Sequence, residues 1–175
     1  MALIVETGAG LSNAESYVSA AEADAYFEKR GVSAWAAITD DDLKDALLRR
    51  ATDYMGQIYR LGWKGDRTTL TQALDWPRTD VERVDRPDTG SGYADYYASD
   101  SVPDEVKRAC MELALRANDA DLLADVGRET SAEQVGDISV TYVVGSIRQK
   151  DFAAVNSLLA PLLRYRKGSM SVVRS

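Results

Sequence analysis

Histidine is absent from all 175 residues. That removes the commonest general base and the commonest transition-metal ligand together. Histidine-bearing zinc centres, Ser-His-Asp triads and Cys-His pairs are excluded with it. Cysteine is nearly as scarce. Cys110 stands alone, so no intrachain disulfide can form. Its neighbours Ala109, Leu113 and Ala114 make it read as a small buried hydrophobe rather than a reactive thiol, which would need a cationic or helix-N-terminal setting. No run approaches the roughly 20 apolar residues of a membrane helix. Met1-Ala2-Leu3-Ile4-Val5-Glu6 has no basic stretch before its first acid, so neither a secretory signal nor a membrane anchor is expected, and synthesis in the cytoplasm is.

Chemical motifs are also missing. Gly8-Ala9-Gly10 lacks the third glycine of a dinucleotide loop and the Gly-Lys-Ser/Thr of a P-loop, and reads as a flexible turn. Asp119, Asp121 and Asp125 lack the glycine and closing glutamate of an EF-hand and read as a solvated face. Acids are so widely scattered that no carboxylate pair stands out for acid–base work. The expectation is a protein that is not an enzyme and holds no cofactor or metal.

What is present is an ordinary globular composition, 45% apolar and 28% charged, in a length that suits one domain with a core. The net charge of −7 is unevenly placed. From Arg148 onward six bases face Asp151 alone, for a net +5, while the preceding residues carry −12. An acidic body thus bears a basic tail.

Periodicity predicts a mainly α, α+β fold: a small helical bundle with two long antiparallel helices, a small β element and an extended basic C-terminal tail. Ser19-Ala20-Ala21-Glu22 has capping-box spacing and Gly31 supplies a stop, which predicts a helix over about 20–30. Asp40, Asp41 and Asp42 suit the positive end of a helix. They do not suit a metal site, because adjacent helical residues diverge by about 100°. Behind them Leu43, Leu47, Ala51, Tyr54, Met55 and Ile58 form an amphipathic stripe. A short helical stretch is expected over 70–74, stopped by Trp76-Pro77. Pro103 with Asp104 and Glu105 opens the second long helix, whose stripe of Val106, Ala109, Cys110, Leu113, Ala117 and Ala120 would run to a stop at Gly127. Ile138 to Val144 alternates like a strand. Its partner would be either Leu3-Ile4-Val5 or the stretch from Glu133 to Val135. Asp151 to Leu159 reads as a last helix, bent or ended by Pro161.

The domain organisation is then a body over 1–163, with a loop insertion over 80–101, and a tail over 164–175. The loop is aperiodic and carries Tyr93, Tyr96 and Tyr97, either as a docking loop or as a disordered insertion. The tail presents Arg164, Tyr165, Arg166, Lys167, Met170, Val172, Val173 and Arg174 as candidate partner-binding residues. Ile138, Val140, Tyr142 and Val144 form a candidate subunit-edge strand. Tyr54, Tyr59, Arg60, Trp63, Lys64 and Arg67 interleave rings with positive charge, as a base-stacking groove would. Against that, the body is acidic and Tyr54 shares the buried stripe.

Seven short segments, in order, carry a family resemblance. They are Ala2-Leu3-Ile4-Val5-Glu6 with Gly10-Leu11; Ser16-Tyr17-Val18-Ser19 with Ala21 to Phe27; Arg50-Ala51-Thr52-Asp53-Tyr54; Gln72 to Arg78; Val102 to Ala109 with Glu112-Leu113-Ala114; Ile138 to Tyr142; and Leu158 to Arg164. Together they resemble the small head-completion adaptors that tailed bacteriophages place between portal and tail, a family also labelled DnaT-like single-stranded-DNA-binding. Residues 80–101 depart from the pattern in length and composition. The resemblance implies a homo-oligomer, a twelve-fold ring at the head–tail interface of the virion. It would bind the portal protein on one side and a tail-proximal protein on the other, with genomic double-stranded DNA passing through the lumen without sequence-specific contact and no membrane involved. The label offers the alternative of a single-stranded-DNA-binding replication accessory protein.

Overall fold

The computed structural model describes residues 2–84, 95–123, 132–135, 138–141 and 152–164. Helix α1, Ala20–Glu28, opens on the expected capping box. Ser19 Oγ accepts from the Glu22 amide at 3.2 Å, and the Glu22 carboxylate accepts from the Ser19 amide at 2.9 Å. Gly31, at φ +66°, reverses the chain after it. The single turn α2, Ser33–Ala36, is too short for any periodicity to announce; it drives Trp35 into the core.

Helix α3, Asp41–Tyr59, is capped by Asp40, whose carboxylate accepts from the amides of Asp42 and Leu43 at 3.0 and 3.3 Å. Its acids serve the helix end, as expected. Leu47, Ala51, Tyr54 and Met55 are buried, joined by Leu48, Thr52 and Tyr59. Leu43 remains exposed and Ile58 half-buried. Helix α4, Asp104–Asp119, packs on α3 through small residues, with Thr52 Oγ1 3.4 Å from Cys110 Sγ. It stops well before Gly127. Ala120 turns extended (φ −161°, ψ 161°), and Arg50 accommodates the helix end by donating to the Ala117 carbonyl at 2.9 Å.

The expected helix over 70–74 is absent, and the backbone there bends instead. Side chains take its hydrogen bonds. Gln72 Oε1 accepts from the Thr69 amide, Gln72 Nε2 donates to the Leu74 and Pro77 carbonyls, and the Ala73 amide donates to Leu11 O. The flanking two-residue strands β1, Asp66–Arg67, and β2, Arg78–Thr79, pair antiparallel. The turn at Gly8-Ala9-Gly10 is likewise tied down rather than loose. The buried Glu6 carboxylate accepts from the amides of Gly8, Gly10 and Leu11 at 2.8–2.9 Å.

Of the two partners offered for the Ile138 strand, the stretch from Glu133 to Val135 is the correct one. Strand β3, Ala132–Val135, pairs antiparallel with β4, Ile138–Thr141, in the register Ala132↔Thr141 and Val135↔Ile138. Val5 bridges Ser16 instead. Tyr142 and Val144 lie outside the described residues. Helix α5, Ala153–Leu159, packs on α4, Tyr59 Oη donates to Asn156 Oδ1 at 2.6 Å, and Pro161 lies in a 3-10 turn, Ala160–Leu162. No helix among the described residues is long and apolar enough to cross a membrane.

Candidate functional site

In the run from Tyr54 to Arg67, which by sequence alternates rings and cations as a base-stacking groove would, the rings are folded inward. Tyr54, Tyr59 and Trp63 are each no more than 4% exposed. They pack in series, Tyr54 edge-on to Tyr59 (6.3 Å), Tyr59 tilted against Trp63 (5.9 Å) and Trp63 edge-on to the buried Trp76 (5.7 Å). Asp75, 1% exposed, accepts from Arg60 Nε at 3.0 Å and from Trp63 Nε1 at 3.3 Å. Its own amide donates to Tyr17 Oη. Lys64 Nζ donates to the Pro161 carbonyl at 2.7 Å, and Arg67 donates to the Gln72 carbonyl. Arg78 reaches across to the carbonyls of Lys64, Gly65 and Asp75. Every cation of the run is therefore engaged within the fold.

At the other end of α3 the same chemistry recurs. Asp24 Oδ1 accepts from Trp35 Nε1 at 2.7 Å and from Lys44 Nζ at 2.8 Å. Beside this cluster opens a cavity of about 470 Å³ lined by Phe27, Val32, Trp35 and Ala36 together with the charged Asp24, Glu28 and Lys44. A smaller polar cleft of about 350 Å³ lies against Asp53, Gln57, Arg60 and Asp75. Burial raises the Asp53 carboxyl there. Burial also pushes the Tyr17 hydroxyl and the Cys110 thiol well above their usual ranges, and an inert interior thiol is what its neighbours predicted. Among the described residues no group of three or more cysteines, aspartates or glutamates could hold a metal ion.

The residues singled out by sequence fall in different places. Arg164 is tied to the body. Leu163 bridges Trp63, the Arg164 amide donates to Gly62 O at 2.8 Å, and its guanidinium reaches Gly65 O at 3.2 Å. Tyr165, Arg166, Lys167, Met170, Val172, Val173 and Arg174 lie outside the described residues, as does Tyr93. Tyr97 is not presented for docking. Its ring is buried under Arg83 at 4.4 Å and its hydroxyl donates to Glu105 at 3.1 Å, because the two ends of the loop pair through Glu82 and Tyr96. Tyr96 is half exposed. Ile138 and Val140 are in β4, in a sheet of two strands.

Sequence reasoning missed the two ionic clusters. One signal was available: Lys44 lies three, four and seven residues before Leu47, Leu48 and Ala51, on the buried face of α3, where a lysine needs a partner. Asp75 and Arg78 flank Trp76-Pro77 with no period to mark them. No curated protein and no solved structure matches the chain. A family profile does, over residues 1–175, and the chain belongs to that family, described as "Putative DnaT-like ssDNA binding protein".

Proposed function

We propose that this protein is a structural adaptor of a tailed-bacteriophage virion. It is a subunit of a ring, twelve-fold by the resemblance, that joins portal to tail and lets double-stranded DNA pass without catalysis or cofactor. The observation that carries the reading is the inward engagement of the Tyr54–Arg67 run. Rings at 4% exposure or less have no open face for a base, and the cations beside them are bound to Asp75, Pro161 and Gln72. The charge of −12 before Arg148 favours a wall that DNA slides past over one that grips phosphates. In this reading α3 and α4 run antiparallel as the body of the subunit. The basic segment from Arg164 reaches an acidic portal face with Tyr165, Met170, Val172 and Val173 as apolar anchors. The edge of β4 extends towards a neighbour.

The family description favours a second reading, a single-stranded-DNA-binding replication accessory. Its material support is Arg164-Tyr165-Arg166-Lys167, a basic and aromatic run at the start of the tail. Gel mobility with single-stranded DNA separates the two, using the full chain and a version ending at Arg164, which keeps the bond to Gly62. Co-sedimentation with the portal protein completes the test. The adaptor reading expects no shift for either form at physiological salt, and loss of portal co-assembly on truncation. Tight binding that survives physiological salt would overturn it.

A further inference from the structure

Two residues past the end of α3, Leu61 stands 94% exposed between Arg60 and Lys64, with Arg164 held nearby against Gly65. At the start of α3 lies the groove of about 470 Å³, where Val32 and Ala36 present apolar surface over the buried Phe27 and Trp35 and Lys44 joins the lining. Space beside it is open, since nothing comes within 4 Å of the position a Cβ on Gly31 would take. We propose that this groove receives Leu61 of a second copy of the chain. A 19-residue helix is about 28 Å long, so Leu61 cannot fill the groove of its own molecule. The charges match across such a contact. The groove is lined by Glu28, by the outward Asp24 (48% exposed) and by the inward Lys44 paired with it (10% exposed), so its surface is acidic, whereas Leu61 lies beside the outward Arg60 (56% exposed), Lys64 and Arg164. The contact joins different surfaces of identical subunits, so it propagates head to tail and closes a ring when the rotation per step allows.

The inference names the subunit contact of the proposed ring and rests on that reading. It is tested on the full-length protein with Val32→Cys and Leu61→Cys, the native Cys110 being buried. Under thiol-oxidising conditions a mixture of the two variants should give a crosslinked dimer that neither gives alone, and the double variant a ladder of multimers. Sedimentation velocity should show Leu61→Asp weakening self-association about tenfold or more, the scale of losing one buried leucine. Added salt should weaken the wild type. Leu70, fully exposed elsewhere, gives the control. A loss from Leu70→Asp as large as that from Leu61→Asp would overturn the contact, as would a symmetric Leu61→Cys dimer. Multimers without the mixed crosslink would sink this contact and leave the ring standing. A wild-type chain that stays monomeric at every concentration, alone and with the portal protein, would sink both. Unchanged melting of Leu61→Asp excludes misfolding as the cause.

Discussion

The two ends of α3 use one device with opposite burial. Each has a carboxylate that accepts from a tryptophan indole and from a cation. At the first turn the cation is inside, with the Lys44 side chain 10% exposed and Asp24 48% exposed. Past the last turn the anion is inside, with the Asp75 side chain 1% exposed and Arg60 56% exposed. The outward partner sets the local surface charge, so the helix presents acid at its start and base at its end. The inward partner sets the energetics, because a buried charge without its counterpart is costly whereas an exposed one is rehydrated.

The comparison breaks most sharply at two glycines of nearly equal φ. Gly31 (+66°) follows α1 and Gly65 (+62°) follows α3. A Cβ on Gly65 would overlap the Thr79 carbonyl oxygen and come within 2.8 Å of Val81 Cγ2, while one on Gly31 meets nothing. Gly65→Ala should therefore cost about 4 kcal/mol or prevent folding, through backbone displacement at the β1–β2 pair. Gly31→Ala should cost about 1 kcal/mol, the conformational penalty alone. Urea unfolding midpoints measure both, and equal losses would refute the steric account.

The ionic clusters give the next largest difference. Asp75→Ala strands the buried Trp63 indole N–H and frees Arg60, with an expected loss of about 3 kcal/mol. Asp24→Ala leaves the inward Lys44 and the Trp35 indole N–H without their shared acceptor, but the cavity that both line admits water to replace the carboxylate, and the cost should be about 1–2 kcal/mol. Chemical denaturation of the two variants decides it. A reversed ranking would mean that the exposed acid, not the buried one, holds its end of the helix.

The same contrast explains what could be read from the sequence. The helices α1, α3 and α4 were legible because capping residues and three- and four-residue spacing act locally. Phe27, Tyr54 and Trp76 fell to the core as their patterns implied. The stretch from Gly62 to Thr79 was not legible. Its order comes from bonds between residues far apart and without period, such as Arg78 to the Lys64 and Gly65 carbonyls. A helical expectation over 70–74 failed because Gln72 satisfies the backbone that a helix would have satisfied. The site followed the same division. The run of alternating rings and cations suggested a surface, but alternation does not state which way the rings face, and the buried Asp75 that draws Arg60 and Trp63 inward lies beyond the run.

The smallest expected effect concerns pH, and it too divides by end. At the α3 start, Asp24 has its pKa lowered: partial desolvation opposes ionisation, but the hydrogen bonds from Lys44 and Trp35 outweigh it. A carboxyl lowered in the fold contributes stability that is present above its unfolded pKa and is lost as pH falls through the folded one. At the other end Tyr17, buried and facing the Asp75 charge, has its pKa raised from the ordinary 10.0. The unfolded chain releases that proton above about pH 10 while the fold retains it. Stability then falls as pH rises beyond that point, because the unfolded state binds fewer protons. Tyr17→Phe removes this alkaline loss, but it deprives the Asp75 amide of its acceptor and should cost about 1 kcal/mol at pH 8. Urea midpoints taken between pH 8 and pH 11 should show the deficit of the variant shrinking as pH rises. A deficit that stays constant would mean that Tyr17 ionises as readily in the fold as outside it, and that the Asp75 end is open to water.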